Sequence, residues 1–318
     1  IGLVGCSSFA QSTLIPNISK LKNEFNLRAV MSRTGSLARQ IALKNKSEYC
    51  TTNFREILDD KFIDLVIIAN YPNEHGKMTL ESLKAKKNVF VEKPLSIFKE
   101  DLEKIKDYYK DVNILDKKLL LVGFNRSYSK PINKIKQLIA NSKTPIIINY
   151  RMNSGYIKND HWVQGPKNGS RNLGEACHIY HLFTFLTECE SVESILATSI
   201  NPKSRKWKSN DNFIANIKYS NGSVCSLTYT SMGTSSYSKE EMSIYFDGKM
   251  IVMDNYKEVN LYENKKRLVW KSKNPEKGFS SEIKYLLKSL KNNQQSQFDI
   301  NKQLIATEIS LEIEEKIK

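Results

Sequence analysis

A lysine follows a short apolar run within the stretch NVFVEKPLS, residues 88–96. Residues 89–91 have the apolar character of a buried strand, and Glu92, Lys93 and Pro94 follow directly. In an open parallel sheet, ligands bind outside the carboxyl ends of the strands. A lysine side chain held there can give a proton as an ammonium and accept one as a neutral amine, where burial or a neighbouring positive charge favours the neutral form. A solvated surface lysine is the alternative, but the glutamate and the proline restrict the backbone and so favour an ammonium held in one place.

The first residues, IGLVGCSSFAQ, run from an apolar strand into a tight turn. In a dinucleotide-binding turn, the first glycine makes the bend, the second lets the backbone approach the pyrophosphate, and the third position must be small. Gly5 and Ala10 meet the outer two requirements, whereas Ser7 replaces the middle glycine with a residue whose hydroxyl can donate to a phosphate oxygen. The helix that follows presents unpaired N–H groups and the positive end of its dipole, which favour an anion. Gly5, Ser7, Ser8, Phe9 and Ala10 are therefore the predicted phosphate contacts, and a plain tight turn is the alternative.

The residues after the second strand bear on the choice of cofactor. An NAD site commonly places a carboxylate there for the ribose 2′-hydroxyl, but this chain has Ser32, Arg33 and Thr34. A guanidinium matches phosphate oxygens in a bidentate fork, so Arg33 and the neighbouring hydroxyls favour the 2′-phosphate of NADP. NADP is the preferred cofactor and NAD the second choice, and a solvated arginine at a loop edge is the structural alternative.

The order of apolar segments indicates how these residues are positioned. In the first third of the chain, apolar runs that suit strands covered on both faces alternate with helix-like segments. Parallel neighbours need a crossover, so this order predicts a parallel, doubly wound α/β sheet of the Rossmann type. The predicted strands are residues 1–4, 27–31, 65–69, 89–91 and 119–122, and the predicted helices include 34–45 and 76–87.

After about residue 123 the pattern changes to alternating apolar and polar residues. Residues 213–229 alternate on either side of Asn221-Gly222, which predicts a hairpin with a type I′ turn, and a second hairpin is predicted around Asp247-Gly248. The second half is expected to be an α/β domain with a large, mostly antiparallel open sheet, one face of which is exposed or covered by a partner. Amphipathic helices are predicted at residues 282–291 and 304–317.

Length and composition set the class of protein. The chain has 318 residues, 40% hydrophobic and 26% charged, which fits a folded protein of two domains. We predict a dinucleotide-binding domain at residues 1–123 and a substrate-binding and oligomerisation domain at 124–318, whose last helix, about 302–318, can pack back on the first domain. Without a long apolar run or a cleavable leader, the sequence predicts a cytoplasmic protein with no membrane partner. Five scattered cysteines without CxxC spacing favour neither a disulfide framework nor zinc, and no metal site is predicted.

The formal net charge of +15 admits several kinds of partner. Nucleic acid, an anionic membrane and an acidic small molecule are all attracted by such a charge. The lysines are spread along the chain among many asparagines, without an RNA-binding signature or a basic helix. A solubilising drift of composition is the first interpretation and an anionic cofactor or substrate the second, and no nucleic-acid partner is predicted.

Four motifs resemble those of the Gfo/Idh/MocA oxidoreductases, the family of glucose–fructose oxidoreductase and inositol dehydrogenase. They are the turn at Gly5, NYPNEH at 70–75, EKP at 92–94 and GFNR at 123–126, in the order and approximate spacing of that family. The resemblance covers nearly the full chain, and EKP after an apolar strand is its most specific element. It implies a Rossmann domain followed by an α/β domain whose open sheet often forms an oligomer interface.

The resemblance also implies roles for individual residues of the first domain. It places Lys93 near the nicotinamide and the substrate hydroxyl, where hydride transfer needs an acid–base group. It places Asn70, Pro72, His75 and Glu92 at the cofactor.

A helix in the second half of family members usually carries Asp-x-x-x-His, and some members that act on sugars show a variant similar to Gly-Glu-x-Cys-His-x-x-Asp. This chain reads GEACHIYH at 174–181. His178 matches the family histidine and Glu175 the variant carboxylate, three residues apart and so on one helix face. His181 stands where the variant has aspartate, and packing within the core is its alternative role. The resemblance thus implies Lys93 as general acid–base with His178 as its partner, and Glu175 positioning the substrate or the histidine.

A polar segment at 150–172 has little periodicity and leads into this helix, as a substrate-binding loop would. The predicted substrate contacts are Lys93, Asn125, Arg151, Trp162, Arg171, Glu175, His178 and His181.

These expectations combine into an NAD(P)-dependent oxidoreductase. Its predicted substrate is a hydroxyl or carbonyl carbon of a sugar, cyclitol, sugar acid or nucleotide sugar, and it is expected to form a homodimer or homotetramer through the C-terminal sheet. The alternative is a catalytically inactive NAD(P)-binding sensor or scaffold of the same fold. Ser7 and His181 are the departures that support the alternative, whereas the presence of both Lys93 and His178 favours the enzyme.

Overall fold

The computed structural model describes residues 1–113, 116–292 and 300–318, and the chain divides into two compact units. Unit 1 comprises Ile1–Phe124 and Phe279–Ile300, and unit 2 comprises Asn125–Gly278 and Asn301–Lys318. The chain first passes from unit 1 to unit 2 after Phe124, one residue beyond the predicted boundary at 123. The predicted second domain included everything after that boundary, whereas the structure groups Phe279–Ile300 with unit 1 and groups the end of the chain with unit 2.

Unit 1 is built on a six-stranded sheet whose strands all run parallel. In chain order the strands are β1 (Gly2–Val4), β2 (Ala29–Met31), β3 (Tyr49–Thr51), β4 (Leu65–Ile68), β5 (Asn88–Val91) and β6 (Leu120–Val122). Their spatial order is β3-β2-β1-β4-β5-β6, the order of a doubly wound dinucleotide-binding sheet, so the predicted fold class is confirmed. The sequence did not predict β3, because this edge strand has an exposed Cys50 and only half-buried Tyr49 and so lacks an apolar run.

Unit 2 is built on an eight-stranded sheet in which every described pair except β7–β10 is antiparallel. Its strands are β7 (Ile147–Asn153), β8 (Val192–Ser199), β9 (Asn212–Tyr219), β10 (Val224–Thr230), β11 (Glu240–Phe246), β12 (Lys249–Asp254), β13 (Glu258–Tyr262) and β14 (Lys266–Lys271). The spatial order is β14-β13-β12-β11-β7-β10-β9-β8. Alternate side chains such as Tyr150 and Leu227 are buried on one face, while Ile147 and Tyr245 are exposed on the other.

The two predicted hairpins differ in their turns. Asp247 and Gly248 both have positive φ, 45° and 72°, as a two-residue type I′ turn requires, and they join β11 to β12. Gly222 alone has positive φ, 86°, in the turn between β9 and β10, and its N–H donates to Tyr219 O. The hairpin is confirmed, but the predicted type I′ turn at Asn221-Gly222 is wrong, because such a turn needs positive φ at both residues.

Helices cover the parallel sheet and the buried face of the second sheet. The described α-helices are α1 (Ile15–Ser19), α2 (Gly35–Asn45), α3 (Phe54–Asp59), α4 (Pro72–Lys84), α5 (Lys99–Asp111), α6 (Lys130–Ile139), α7 (Cys177–Thr187), α8 (Phe279–Lys291) and α9 (Ile300–Ile317). The α7 helix packs on the buried face of the second sheet, where the rings of Phe183 and Tyr150 lie 6.4 Å apart. Within the three described ranges, no helix is both long and apolar enough to cross a bilayer.

Candidate functional site

The turn after β1 has the backbone that the sequence predicted. Gly5 adopts a φ of +98°, and a Cβ there would come within 2.5 Å of the Asn70 nitrogen, so only glycine fits between β1 and the end of β4. The Ser7 hydroxyl oxygen accepts the Ala10 N–H at 3.2 Å and caps the helix that begins at Ser8. Accepting this bond leaves the hydroxyl hydrogen of Ser7 able to donate to an anion.

This turn fits the pyrophosphate of a dinucleotide. Ser7 and Ser8 are exposed, and the first N–H groups of a helix have no acceptor within the helix. Ala10 is fully buried, as the small third position of the motif requires. Phe9 instead packs inward, with its ring 5.6 Å from that of Phe279 on α8, so its backbone rather than its side chain would face a phosphate.

The loop after β2 presents a cation near the start of α4. The Arg33 side chain is exposed, and its guanidinium carbon lies 4.9 Å from the centre of the Tyr71 ring. Ser32 accepts the Thr34 N–H through its hydroxyl at 3.3 Å, which shapes the loop. The stacking contact supports Arg33 from one side and leaves its donors available for an oxygen-rich anion.

His75 ties α4 to the segment after β5. Its Nδ1 lies 2.8 Å from the Pro94 carbonyl oxygen and its Nε2 lies 3.3 Å from the Asn70 carbonyl oxygen. Burial lowers the pKa of His75 to about 4, so the imidazole is neutral near pH 7. Pro72 begins α4, where its missing N–H costs nothing. His75 therefore holds two loops of the predicted cofactor site through its ring.

In unit 1 the neighbouring carboxyl groups of Glu92 and Glu282 have raised pKa values. Burial raises the pKa of Glu92 to about 7, although the adjacent Lys93 ammonium acts in the opposite direction. Gly123 leaves room for this carboxyl group, because a Cβ there would lie 3.0 Å from Glu92 Oε1. Burial and the charge of Glu92 raise the pKa of Glu282 well above its usual range. Lys93 thus follows β5 beside a carboxyl group that retains its proton more readily than in water, and the Lys93–Pro94 peptide is cis.

In unit 2, Glu175 lies in a π-helical turn, Asn172–Ala176, that precedes α7. Its Oε1 accepts from Lys239 Nζ at 2.6 Å, and its Oε2 accepts from Tyr229 Oη at 2.5 Å and Arg171 Nη2 at 3.2 Å. Burial opposes ionisation, but Lys239, Tyr229 and Arg171 outweigh it and lower the pKa of Glu175 to about 2. Glu175 is therefore a fixed anion, which suits positioning rather than proton transfer.

The Arg171 side chain is directed at the backbone of residues 154 and 155. Its side chain is 3% exposed, and Nη1 donates to Gly155 O at 2.7 Å while Nη2 donates to Ser154 O at 3.1 Å. These bonds fix the start of the segment that the sequence predicted to bind substrate. The contact that the structure supports for Arg171 is with Glu175 and this loop.

His178 and His181 both lie on α7 and are buried. Burial, with Lys302 acting in the same direction, lowers the pKa of His181 to about 3, so this imidazole is neutral near pH 7. Asn125 is also buried, and its Nδ2 donates to Lys277 O at 2.7 Å. Asn125 thus joins the two segments at which the chain enters and leaves unit 2.

Arg151, one of the predicted substrate contacts, lies apart from Glu175, and Trp162 is exposed. Arg151 lies on the exposed face of the unit 2 sheet, where it donates to Ser238 O at 3.0 Å and stacks on Tyr237, whereas α7 covers the opposite face. Trp162 is 64% exposed in a short 3₁₀ turn. Arg151 therefore points away from the face that α7 covers, because successive strand residues point to opposite faces. The substrate roles of Arg151 and Trp162 stay predictions.

Sequence reasoning missed a buried ionic cluster centred on Glu240. This carboxylate is fully buried and accepts from Arg126 Nε at 2.9 Å, Arg126 Nη2 at 3.1 Å, Lys277 Nζ at 2.5 Å and Tyr150 Oη at 2.6 Å. These bonds join β7, β11 and the two segments linked by Asn125. The sequence carried no signal for it, because Lys239 and Glu240 read as an ordinary charged run in a loop.

Comparison with known proteins gives a family match for residues 1–124. A model of the Gfo/Idh/MocA family, described as an oxidoreductase family with an NAD-binding Rossmann fold, matches residues 1–124. The chain is similar to the uncharacterized oxidoreductase YrbE of Bacillus subtilis, with 23% identity over 227 residues that cover 70% of this chain and 64% of that protein. It is also similar to myo-inositol 2-dehydrogenase of Thermotoga maritima, with 26% identity over 141 residues that cover 44% of this chain and 40% of that protein. The matched segments span less than two thirds of either relative.

Solved structures resemble the chain over a longer range. Levoglucosan dehydrogenase in complex with NADH and levoglucosan aligns with a TM-score of 0.80 and 17% identity, covering 100% of this chain and 97% of that one. UDP-N-acetylglucosamine 3-dehydrogenase of Acidithiobacillus ferrooxidans aligns with a TM-score of 0.81 and 15% identity, covering 99% of this chain and 96% of that one. At these identities the likeness establishes the fold. The match to the Gfo/Idh/MocA family model covers residues 1–124, the part of the chain that carries the predicted cofactor contacts, and there it agrees with the predicted resemblance.

Proposed function

We propose that this protein is an NAD(P)-dependent oxidoreductase that acts on a hydroxyl or carbonyl carbon of a sugar-type molecule. The observation that carries the proposal is Lys93, an ammonium at the carboxyl end of β5 in a sheet of dinucleotide-binding order. Support for the substrate class comes from relatives named for inositol, levoglucosan and UDP-N-acetylglucosamine.

The chemistry divides between the cofactor and the chain. The nicotinamide, when bound, takes a hydride from the carbinol carbon or returns one to a carbonyl carbon. Lys93 exchanges the proton on the reacting oxygen: its neutral amine accepts the proton during oxidation, and its ammonium donates it during reduction. His75 and Gly123 support this role indirectly, because the first fastens the Pro94 carbonyl and the second makes room for Glu92.

Unit 2 contributes a fixed anion rather than a second proton carrier at Glu175. A carboxylate that already accepts from Lys239, Tyr229 and Arg171 keeps its charge throughout turnover. We assign Glu175 to positioning, and the pairing of His178 with Lys93 stays a prediction.

The preference for NADP over NAD is part of the proposal. It rests on the absence of an acid at 32–34 in the sequence and on the exposed Arg33 guanidinium supported by Tyr71. A homo-oligomer formed through the exposed face of the unit 2 sheet is also proposed, on the strength of the apolar side chains that this face presents.

The proposed role of Lys93 is tested by Lys93→Ala. A panel of sugars, cyclitols, sugar acids and nucleotide sugars is assayed in both directions with NADP(H) and NAD(H), following absorbance of the reduced nicotinamide. Loss of a positioned acid–base group should lower kcat by about 10²-fold or more, while the Kd for the cofactor changes less than about threefold. Lys99→Ala, at an exposed lysine six residues away, is the matched control and should retain wild-type turnover.

Two results would count against the proposal. Undiminished turnover in Lys93→Ala would remove the assigned role. Tight cofactor binding by the wild-type protein with no turnover of any panel member would favour the sensor or scaffold.

A further inference from the structure

Two loops of unit 2 are fastened to each other outside the sheet. Residues 154–168 and 200–211 are joined by Asn159 Nδ2, which donates to Arg205 O at 2.8 Å, and by Gln164, which donates to Asp211 Oδ2 at 2.9 Å and accepts from Lys208 Nζ at 3.1 Å. We call residues 154–168 and 200–211 together the basic lobe. Its loops are positioned by side chains of both segments and so form a fixed surface.

The basic lobe concentrates positive charge. Its 27 residues carry six cationic side chains and two carboxylates, a net charge of +4, against +15 for all 318 residues. One of the two carboxylates, Asp211, is buried and bonded to Gln164. The cationic side chains are Lys158, Lys167, Lys203, Arg205, Lys206 and Lys208. The even spread of lysine along the chain therefore does not extend to this surface.

Aromatic rings hold one of these cations in place. Lys206 Nζ lies 4.8 Å from the centre of the Trp207 ring and 5.3 Å from that of Tyr156, and the two rings meet edge to face at 5.4 Å. Tyr156 is 45% exposed, and Trp162 in the same lobe is 64% exposed. Tyr156 thus offers a partly exposed ring beside a supported ammonium, and Trp162 offers a second exposed ring elsewhere in the lobe.

The basic lobe is connected to the Glu175 cluster within unit 2. Arg171 donates to the carbonyl oxygens of Ser154 and Gly155 and also to Glu175, and Tyr156 is the next residue along the chain. A molecule that contacts Glu175 would therefore have the edge of the lobe beside it. Because of this connection, the basic lobe lies next to the Glu175 cluster, whereas a charged patch elsewhere on the surface would have no link to it.

We propose that the basic lobe binds an anionic saccharide, a molecule whose sugar rings carry phosphate or carboxylate groups. The cations would pair with the anionic groups and the exposed aromatic rings would stack on the rings of the ligand. The inference rests on the proposed function, because it narrows the substrate class to its negatively charged members and assigns their recognition to the basic lobe. Diphosphate sugars and oligouronates share this chemistry, and the test separates them.

The test is calorimetric binding without cofactor, so that it does not depend on turnover. The probes are UDP-glucose, an oligogalacturonate, a neutral malto-oligosaccharide and single-stranded DNA, each at low and high NaCl. We expect one of the two anionic saccharides to bind most tightly and to weaken in high salt, because exposed charges are screened. Which of the two binds identifies the source of the anion.

Variants locate the binding on the molecule. Removing both exposed cations in Arg205→Ala/Lys206→Ala should weaken binding of the anionic saccharide about tenfold, since two exposed and partly screened ion pairs are lost. Lys206→Arg should keep most of the affinity, and Tyr156→Ala should lose part of it. Lys134→Ala, an exposed lysine on α6 in the same unit, is the matched control. Circular dichroism checks that each variant is folded.

Three outcomes would overturn the lobe proposal: equal affinity for the neutral oligosaccharide, unchanged affinity in the Arg205/Lys206 variant, or DNA binding tighter than either saccharide. Failure of the proposed function is a separate result. If the protein binds the anionic saccharide through the lobe but oxidises no panel member, the lobe proposal stands and the proposed enzyme function fails. If the double variant turns over a sugar with unchanged KM and binds the anionic saccharide with unchanged affinity, the enzyme proposal stands and the lobe proposal fails.

Discussion

Burial changes the protonation of three side chains around the segment that carries Lys93. His75 is neutral because desolvation lowers its pKa to about 4, and desolvation raises the pKa of Glu92 to about 7. Glu282 shares that burial and responds to the charge of Glu92, so its pKa lies well above its usual range. Each group carries less charge near pH 7 than it would in water. A charged substrate group that approaches Lys93 would therefore meet weak competition from neighbouring charges.

Glu92→Gln should make stability less sensitive to pH. The folded carboxyl group has a pKa of about 7 against 4.5 as the usual value, so between these pH values the folded protein binds more protons than the unfolded chain. Stability is therefore lost as pH rises through that window, and glutamine avoids the loss. The free energy of unfolding of Glu92→Gln relative to wild type should rise by up to about 3 kcal/mol between pH 5 and pH 8.

Urea unfolding at several pH values measures this difference. His75 contributes in the opposite sense, because its lowered pKa removes stability as pH falls from about 6.5 toward 4. That contribution is present in both proteins and cancels in the comparison. Glu56→Gln, at an exposed glutamate of α3, is the matched control. A flat difference for Glu92→Gln would mean that the buried carboxyl group does not retain its proton.

At the scale of elements, the loop after β2 and the start of α4 form one surface through Arg33 and Tyr71. If Arg33 binds the 2′-phosphate, Arg33→Ala should raise the Kd for NADP by about tenfold or more, since a charge-assisted hydrogen bond contributes about 1.5–3 kcal/mol. The Kd for NAD should change less than about threefold. Fluorescence titration with both reduced cofactors measures this. Arg39→Ala on the exposed side of α2 is the control, and an equal loss of both cofactors in Arg33→Ala would remove the phosphate contact.

Elements with a strong local pattern were predictable from the sequence. The buried strands β1, β2, β4, β5 and β6 are apolar throughout, and the hairpins around Asn221-Gly222 and Asp247-Gly248 alternate on both sides of their turns. The turn at Gly5 was also predictable, because a close backbone approach there requires glycine. Local patterns thus predicted five of the six parallel strands, two hairpins of the second sheet and the position of Lys93.

Features that depend on distant partners were not predictable. Glu240 is fully buried only because Arg126 and Lys277, 114 and 37 residues away, both reach it. Arg171 turns toward the carbonyl oxygens of Ser154 and Gly155, which no sequence spacing indicates. Edge strand β3 lacks an apolar run, since Cys50 is exposed and Tyr49 is only partly buried. Tertiary contacts decide all these features, and they leave no local signal.

At the scale of the whole molecule, two kinds of surface in unit 2 call for different partners. The basic lobe is charged and polar and suits a small anionic ligand. The exposed face of the sheet carries apolar side chains in register, since Ile147 is opposite both Val224 and Tyr245, and Tyr245 is opposite Met250. Burying such a row in a partner removes apolar area from water at about 25 cal/mol per Å². The second surface therefore suits another copy of this chain, whose same face offers the same row.

The proposed oligomer is tested by placing charge in this row. Ile147 is 51% exposed and Tyr245 39% exposed, so Ile147→Asp/Tyr245→Asp should fold normally as a monomer while wild type elutes as a dimer or tetramer in size-exclusion chromatography with light scattering. Each introduced carboxylate would face a carboxylate of the other copy across a desolvated interface. The resulting repulsion and desolvation free energy would exceed the free energy that the apolar contacts contribute to assembly. Leu43→Asp, at a 70% exposed leucine of α2 in unit 1, is the control and should leave the oligomer unchanged. A wild-type protein that remains monomeric at micromolar concentration, or a double variant that stays assembled, would show that this face is not the interface, because its exposed apolar row would then contribute nothing to assembly.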